Sequence, residues 1–473
     1  MTASLVDMNP YLHGRFGPVK DEVTALDLPV IGEIPRDLHG AYYRNGPNPR
    51  VMPQGLHHWF DGDGMLHAIY FEDGRAEYRN RYVRTRDMVA EEAGRSEVGG
   101  IFRPANEAHG DTVYKDTANT DVVLHHGELM ALWYVSGKPV RVHPRTLETI
   151  RTENFGGRLP RNVSAHSKAD YATGEFVFFD YALFEPWMSF GVVSPDNELQ
   201  HFSQVELPGP RLPHDMGLTE NYIILHDLPV VLTDLGLRKR LWTIHQPREL
   251  PARFGIVPRR GDGASIKWFE TEHCYIYHVI NAWEDGDEVV MQACRMVDNG
   301  LNPSVEKYGP YVPMVAVLAL HAVPCEWRFN MKTGQSSVRQ LDDRIGEFPV
   351  VNLDYAGKKA RYSYHTSFDT KSDLQSMDGL LKYDLDSGAC VAQMFEPGVY
   401  GSEPAFAPRT GAQGEDDGYV IVFVTDANSL TSEARIYDAR AMDQAPLARI
   451  ALPQKVPAGF HGTWAPASRM KMA

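Results

Sequence analysis

Of 473 residues, 43% are hydrophobic and 23% charged, the balance of a folded globular chain and not of a disordered one. A net charge of −15 argues against nucleic acid and anionic membrane surfaces as partners, since both need basic patches. The four cysteines, Cys274, Cys294, Cys325 and Cys390, are widely spaced with no C-x-x-C, which argues against a disulfide framework or a zinc knuckle.

The N-terminal stretch MTASLVDMNPYLHGRF lacks a charged region followed by an apolar run, so no signal peptide is read and a cytoplasmic chain is expected. Next, AIYFEDGRAEYRNRYV reads as two strands about Asp73-Gly74, the pair a tight primed turn prefers because both residues must reach positive φ. VVLHHGELMALWYVSGKPVRVHP continues as a meander with turns at Gly127 and Gly137. The same grammar recurs in YATGEFVFFDYA, LTENYIILHDLPV, CYIYHVINAWEDGDEVVMQACRM, EWRFNMKTGQSSVRQL, LLKYDLDSGACVAQMF and DDGYVIVFVTD. Helix is expected only over 225–240 and in part of 301–323. The apolar run VPMVAVLALHAV at 312–323 is too short to span a bilayer and is expected in the core, with a weak peripheral contact to lipid as the alternative.

With 40 glycines, 32 prolines and no low-complexity linker, the pattern predicts one all-β domain over 1–473. Radial repetition closes many antiparallel strands without long exposed edges, so a β-propeller is expected, with a pair of β-sandwiches as the alternative.

Among 19 histidines, four share a setting at the edge of a predicted strand: His166 in RNVSAHSKAD, His214 in LPHDMGLTE, His278 in YIYHVINAW and His461 in GFHGTWAP. A propeller brings the inner ends of its blades to one axis, so histidines remote in the chain can converge there. Imidazole suits zinc, copper, iron and nickel, and four neutral rings leave a divalent ion electrophilic. A rival is His109-Gly110-Asp111, an H-x-D form compatible with a two-histidine, one-carboxylate ferrous site, in a segment that reads as a surface loop. DGDG at 61–64 lacks the remaining ligands of a calcium loop and reads as a turn. There is no G-x-S-x-G, P-loop or H-E-x-x-H.

At these residues the chain resembles the carotenoid cleavage oxygenases, which include plant epoxycarotenoid dioxygenases, bacterial apocarotenoid oxygenases, lignostilbene dioxygenases and the visual retinoid isomerase. The resemblance runs in order through GAYYRNGPNPR, HHWFDGDGM, ANTDVV, the four histidine segments, GEFPVVN, GSEPAFAP and FHGTWAP. It implies a seven-bladed β-propeller with a loop-and-helix cap over one face. It also implies one Fe(II) per chain, held by His166, His214, His278 and His461. Glu347 and Glu403 match glutamates that orient the ligands, since a carboxylate accepting the far N–H fixes tautomer and ring plane. The family's third glutamate is replaced by Tyr134 in ALWYVSG, whose hydroxyl can accept a hydrogen bond more weakly than a carboxylate. Thr120 resembles the threonine whose methyl crowds one open iron position and leaves a single site for dioxygen.

The implied reaction is scission of an electron-rich C=C bond by O2 to two carbonyl products. Stilbene-cleaving members hold a phenol with a tyrosine and a lysine where this chain has Phe102 and Trp133. Both residues suit an apolar polyene in the substrate tunnel better, so a carotenoid or apocarotenoid is the expected substrate. Stilbenoids or phenylpropenoids are the alternative, and an iron-free propeller that only binds a ligand is the third. The chain is expected to act as a monomer or weak oligomer on a hydrophobic small-molecule alkene.

Overall fold

The computed structural model describes residues 4–95, 100–102, 114–134, 136–182, 185–233, 244–297 and 302–471. Among the described residues, seven antiparallel sheets of four or more strands follow one another along the chain, beside a two-stranded ribbon of Val231–Leu232 with Ile244–His245. Blade 1 comprises Gly40–Pro47, Gly64–Glu72 and Arg75–Tyr82, and blade 2 runs from Asp121–His125 to Thr149–Thr152. Blade 3 spans Lys168–Ala169 to Leu199–Val205, and blade 4 spans Gly217–Leu218 to Lys267–Thr271. Blades 5 and 6 begin at Ile276–Asp285 and Gly346–Val350, and blade 7 has Ala405–Pro408 inside and Ala448–Ala451 towards its rim. The molecule is a seven-bladed β-propeller.

The ring is closed by both ends of the chain. Gly462–Pro466 enters blade 1 as its inner strand, paired from Gly40↔Pro466 to Arg44↔Gly462. Near the N-terminus, Thr24–Ala25 edges blade 1 and Val30–Gly32 edges blade 7. One sheet therefore holds residues from the start and the finish of the sequence.

The hairpins form where turn chemistry demands them. Asp73 and Gly74 sit at φ 48° and 75°, as the primed turn between Gly64–Glu72 and Arg75–Tyr82 requires. His126 and Gly127 do the same at 55° and 77°. Gly137 instead forms a bridge to Val163 between neighbouring segments.

The helix expected over 225–240 is corrected. Tyr222–Asp227 pairs residue for residue with Arg253–Pro258, and Val231–Leu232 is a short strand; the remainder, 234–243, lies outside the described residues. A strand buried on both faces carries a continuous apolar run that periodicity alone does not separate from a helix. Part of 301–323 is helical as expected, at Val305–Tyr308 and Val312–Val317, before the strand Ala322–Asn330. Both helical pieces join a cap whose Tyr11, Trp59, Phe60, Tyr311, Met314 and Leu318 share one apolar cluster. Among the described residues no helix is long and apolar enough to cross a membrane.

Candidate metal centre

Each blade delivers one residue to the axis at the start of its innermost strand. In blade order from 1 to 7 these are His461, Thr120, His166, His214, His278, Glu347 and Glu403. His278 lies inside its strand, at a bulge that shifts register between Ile276 and Val279. Such a bulge re-aims a side chain without ending the sheet. His166 is held at φ 64°, an uncommon backbone for a non-glycine residue. Its N–H is taken by Asp121 Oδ2 at 3.0 Å.

The four imidazoles form one cluster. Their candidate ligand atoms all lie within 4.8 Å of one another, and all four rings are buried. His214 Nε2 and His278 Nε2 face each other at 3.2 Å, and His166 Nε2 is buried without a hydrogen-bond partner. On the far side of the rings, Glu347 Oε2 lies 2.5 Å from His278 Nδ1, and Glu403 Oε1 lies 3.0 Å from His461 Nδ1. Each carboxylate is fixed in turn by the backbone N–H of its neighbour, Phe348 or Gly462, at 2.5 Å. Lone pairs converging on one point, with carboxylates behind two of the rings, fit a borderline metal cation.

Electrostatics support the same donor set. Burial, reinforced by the neighbouring imidazoles, holds His166, His214 and His278 well below the ordinary imidazole value, so they stand neutral with free lone pairs. Burial also acts downward on His461, but the Glu403 carboxylate outweighs it and leaves that ring above its ordinary value. Burial pushes Glu347 well above the usual carboxylate range and raises Glu403 as well, although His461 opposes the second shift.

Tyr134 occupies a different place from the one expected of a carboxylate substitute. Its ring lies 4.6 Å from that of His214, while His214 Nδ1 is buried with no hydrogen-bond partner. Burial pushes the Tyr134 phenol up to about 12, an effect moderated by the hydroxyls of Tyr275 and Tyr181. Tyr277 packs on His214 at 4.7 Å, so this imidazole is held between two aromatic rings. Thr120 Oγ1 bonds Asn119 Oδ1 at 2.9 Å and receives the Tyr134 N–H at 3.0 Å. With the hydroxyl tied back, the methyl remains for the cavity that Thr120 lines.

Two cavities flank the imidazoles. One of about 180 Å³ runs through the centre of the ring past Lys168, Tyr171 and Asp215. The other, about 20 Å³ among the described residues, lies under the cap between Trp59, Phe60, Phe348 and Phe460. Phe102 and Trp133 belong to the surrounding apolar core and do not line that space: Phe102 contacts His58 at 5.1 Å, and Trp133 is buried with its Nε1 unpartnered. His109-Gly110-Asp111 lies outside the described residues. DGDG is structural, with Asp61 receiving the Ile101 N–H at 3.0 Å and Asp63 paired to Lys115 at 2.7 Å.

Asp121 and Asp215 are site residues that sequence reasoning missed. Asp121 links blades 2 and 3 through His166 N–H, while Asp215 joins Lys168 at 2.6 Å and Val279 N–H at 2.7 Å, linking blades 3, 4 and 5. The available signal was adjacency, Asp121 following Thr120 and Asp215 following His214.

Comparison with known proteins places this geometry. Residues 16–466 match the model of the family described as RPE65: Retinal pigment epithelial membrane protein. The chain is 36% identical to carotenoid 9,10(9′,10′)-cleavage dioxygenase 1 of Phaseolus vulgaris, covering 95% of this chain and 88% of the relative. It is 30% identical to isoeugenol monooxygenase of Pseudomonas nitroreducens, over 97% and 98%. Among solved structures, the lignostilbene dioxygenase of Pseudomonas brassicacearum superposes with a TM-score of 0.86 at 27% identity, over 97% and 99%.

Proposed function

The chain belongs to the carotenoid cleavage oxygenase family and is an oxygen-incorporating oxidoreductase, and from that premise we propose that it cleaves a C=C bond of a carotenoid or apocarotenoid with O2 at one Fe(II) held by His166, His214, His278 and His461. The observation that carries this reading is the convergence of four buried imidazoles, two of them backed by buried carboxylates. Iron, when bound, supplies the capacity to bind and activate O2. The chain's own part is to orient and to exclude. Glu347 and Glu403 fix the His278 and His461 ring planes and tautomers. The Thr120 methyl narrows the approach to the centre, and Trp59, Phe60, Phe348 and Phe460 present an apolar wall that keeps water from an alkene. The likeness to the carotenoid-cleaving relative supports a polyene substrate.

A second reading, scission of an aryl alkene to an aromatic aldehyde, is supported by the 30% identity to isoeugenol monooxygenase over almost the full length of both chains. Metal analysis and product analysis test both. About one iron per chain, with aldehyde products from an apo-carotenal under air, supports the proposal. Cleavage of resveratrol or isoeugenol alone overturns the polyene assignment, and ligand binding without iron overturns the enzymatic one. Replacement of any of the four histidines by alanine is expected to abolish iron retention and turnover.

A further inference from the structure

The small cavity beside the imidazoles is not purely apolar. Gln375 and Trp59 both line it, and each is only 2% exposed. Trp59 Nε1 is buried with no hydrogen-bond partner among the described residues, and Gln375 places a polar side chain in the same lining. A buried polar group without a partner is destabilising, so the Trp59 N–H beside this cavity calls for something there that bonds to it.

Both groups are held in place. The Gln375 backbone carbonyl accepts from the Arg15 guanidinium at 2.5 Å, and that guanidinium also bonds Ser376 Oγ at 2.8 Å while lying over the Phe16 and Tyr400 rings. Trp59 is stacked on Tyr11 at 4.7 Å and packed on Phe460 at 4.5 Å. An amide and an indole N–H fixed on rigid supports are the arrangement by which a largely apolar pocket orients a ligand.

We propose that Gln375 and Trp59 form a polar anchor for an oxygen function, a carbonyl, hydroxyl or ether, carried close to the alkene that is cleaved. The proposal rests on the oxygenase reading above and narrows its substrate class to alkenes with an oxygen-bearing end near the scissile bond. Trp59 Nε1 donates to that oxygen, and the Gln375 amide donates to it or accepts from its hydroxyl. A plain hydrocarbon leaves the Trp59 N–H unpaired, and discrimination against it follows. The oxygen can come from a shortened polyene ending in an aldehyde or from a phenolic ring.

The test uses the iron-loaded full chain without O2, so that binding is read apart from turnover. Kd is measured by quenching of tryptophan fluorescence for two matched pairs: an apo-carotenal with its hydrocarbon of equal length, and isoeugenol with 1-propenylbenzene. The wild type is expected to favour the oxygenated member of at least one pair by about tenfold or more, and the pair that shows the preference identifies the source of the oxygen. Gln375→Leu is expected to shrink that preference about tenfold with iron content unchanged. Trp59→Phe, which keeps the ring and loses the donor, is expected to act in the same direction and carries the test if Gln375→Leu fails to fold. No preference in the wild type, or a preference that survives both substitutions, overturns the proposal. A preference that is present, with no cleavage once air is admitted, supports the anchor and refutes only the oxygenase reading.

Discussion

His214 is the ligand candidate with the least conventional support. A ring that offers Nε2 to a metal carries its proton on Nδ1, and here that N–H points into protein with no acceptor, flanked by the Tyr134 and Tyr277 rings. Packing holds the plane of this ring, where hydrogen bonds to carboxylates hold His278 and His461. Tyr134→Glu is expected to leave iron bound and to slow its loss to a chelator, because a carboxylate would accept the stranded proton; loss of metal in this variant overturns that account. Tyr134→Phe is expected to keep the wild-type chelation rate, since the phenol is engaged with Tyr275 and Tyr181. Glu347→Gln makes the opposite case. Removing the carboxylate behind His278 is expected to weaken metal binding about ten- to a hundredfold, read as iron content after dialysis against graded chelator. The four histidines were legible in the sequence because each stands in a motif of the family the chain resembles; the expected strand-edge setting holds for His166, His214 and His461, while His278 lies inside its strand. The linkage by Asp121 and Asp215 was not, because an aspartate has no periodic signature and its partners lie on other blades.

At the scale of elements, the hub is built from very short pieces. Lys168–Ala169 and Gly217–Leu218 are two-residue inner strands, too brief to show any alternation, so the blades were readable from their longer middle strands. The Asp73-Gly74 turn was readable because its chemistry is local. The segment after Tyr222 was misread because burial on both faces erases the period of two. Gly64 shows how tightly the inner elements approach. A Cβ there would lie 2.6 Å from Ala118 O and 2.8 Å from Thr117 O, backbone atoms of the segment that leads to Thr120. Gly64→Ala is expected to destabilise the fold by roughly 1–3 kcal/mol, seen as a lowered Tm, and to reduce iron content by displacing Thr120.

For the whole molecule, buried histidines set the response to acid. His166, His214, His278 and His67 are held well below 6.5 by burial, and His226 stands at about 3. Their unfolded forms take up protons as pH falls through 6.5 while the folded forms do not, so the unfolded state binds more protons and folding loses free energy in that direction. His461 works the other way: its raised value adds stability below 6.5 that is lost as pH rises through its folded pKa. The raised carboxylates Glu347, Glu403 and Asp116 act with His461, since they bind protons in the folded state first. The lowered histidines, which also include His58, His125 and His365 at about 3, outnumber them, so the Tm of the metal-free chain is expected to fall below about pH 6.5; a flat profile between pH 6.5 and 5 overturns this.

The seam in blade 1 carries a consequence for assembly. The strand that follows His461 pairs with Gly40–Arg44, a segment remote in the chain, and this pairing seats one of the four imidazoles as it seals the circle. A polypeptide in which the two segments have not met has three of the rings and no closed hub. Metal uptake therefore waits on ring closure, and a chain cut before His461 is expected to yield a product that cannot take up its metal.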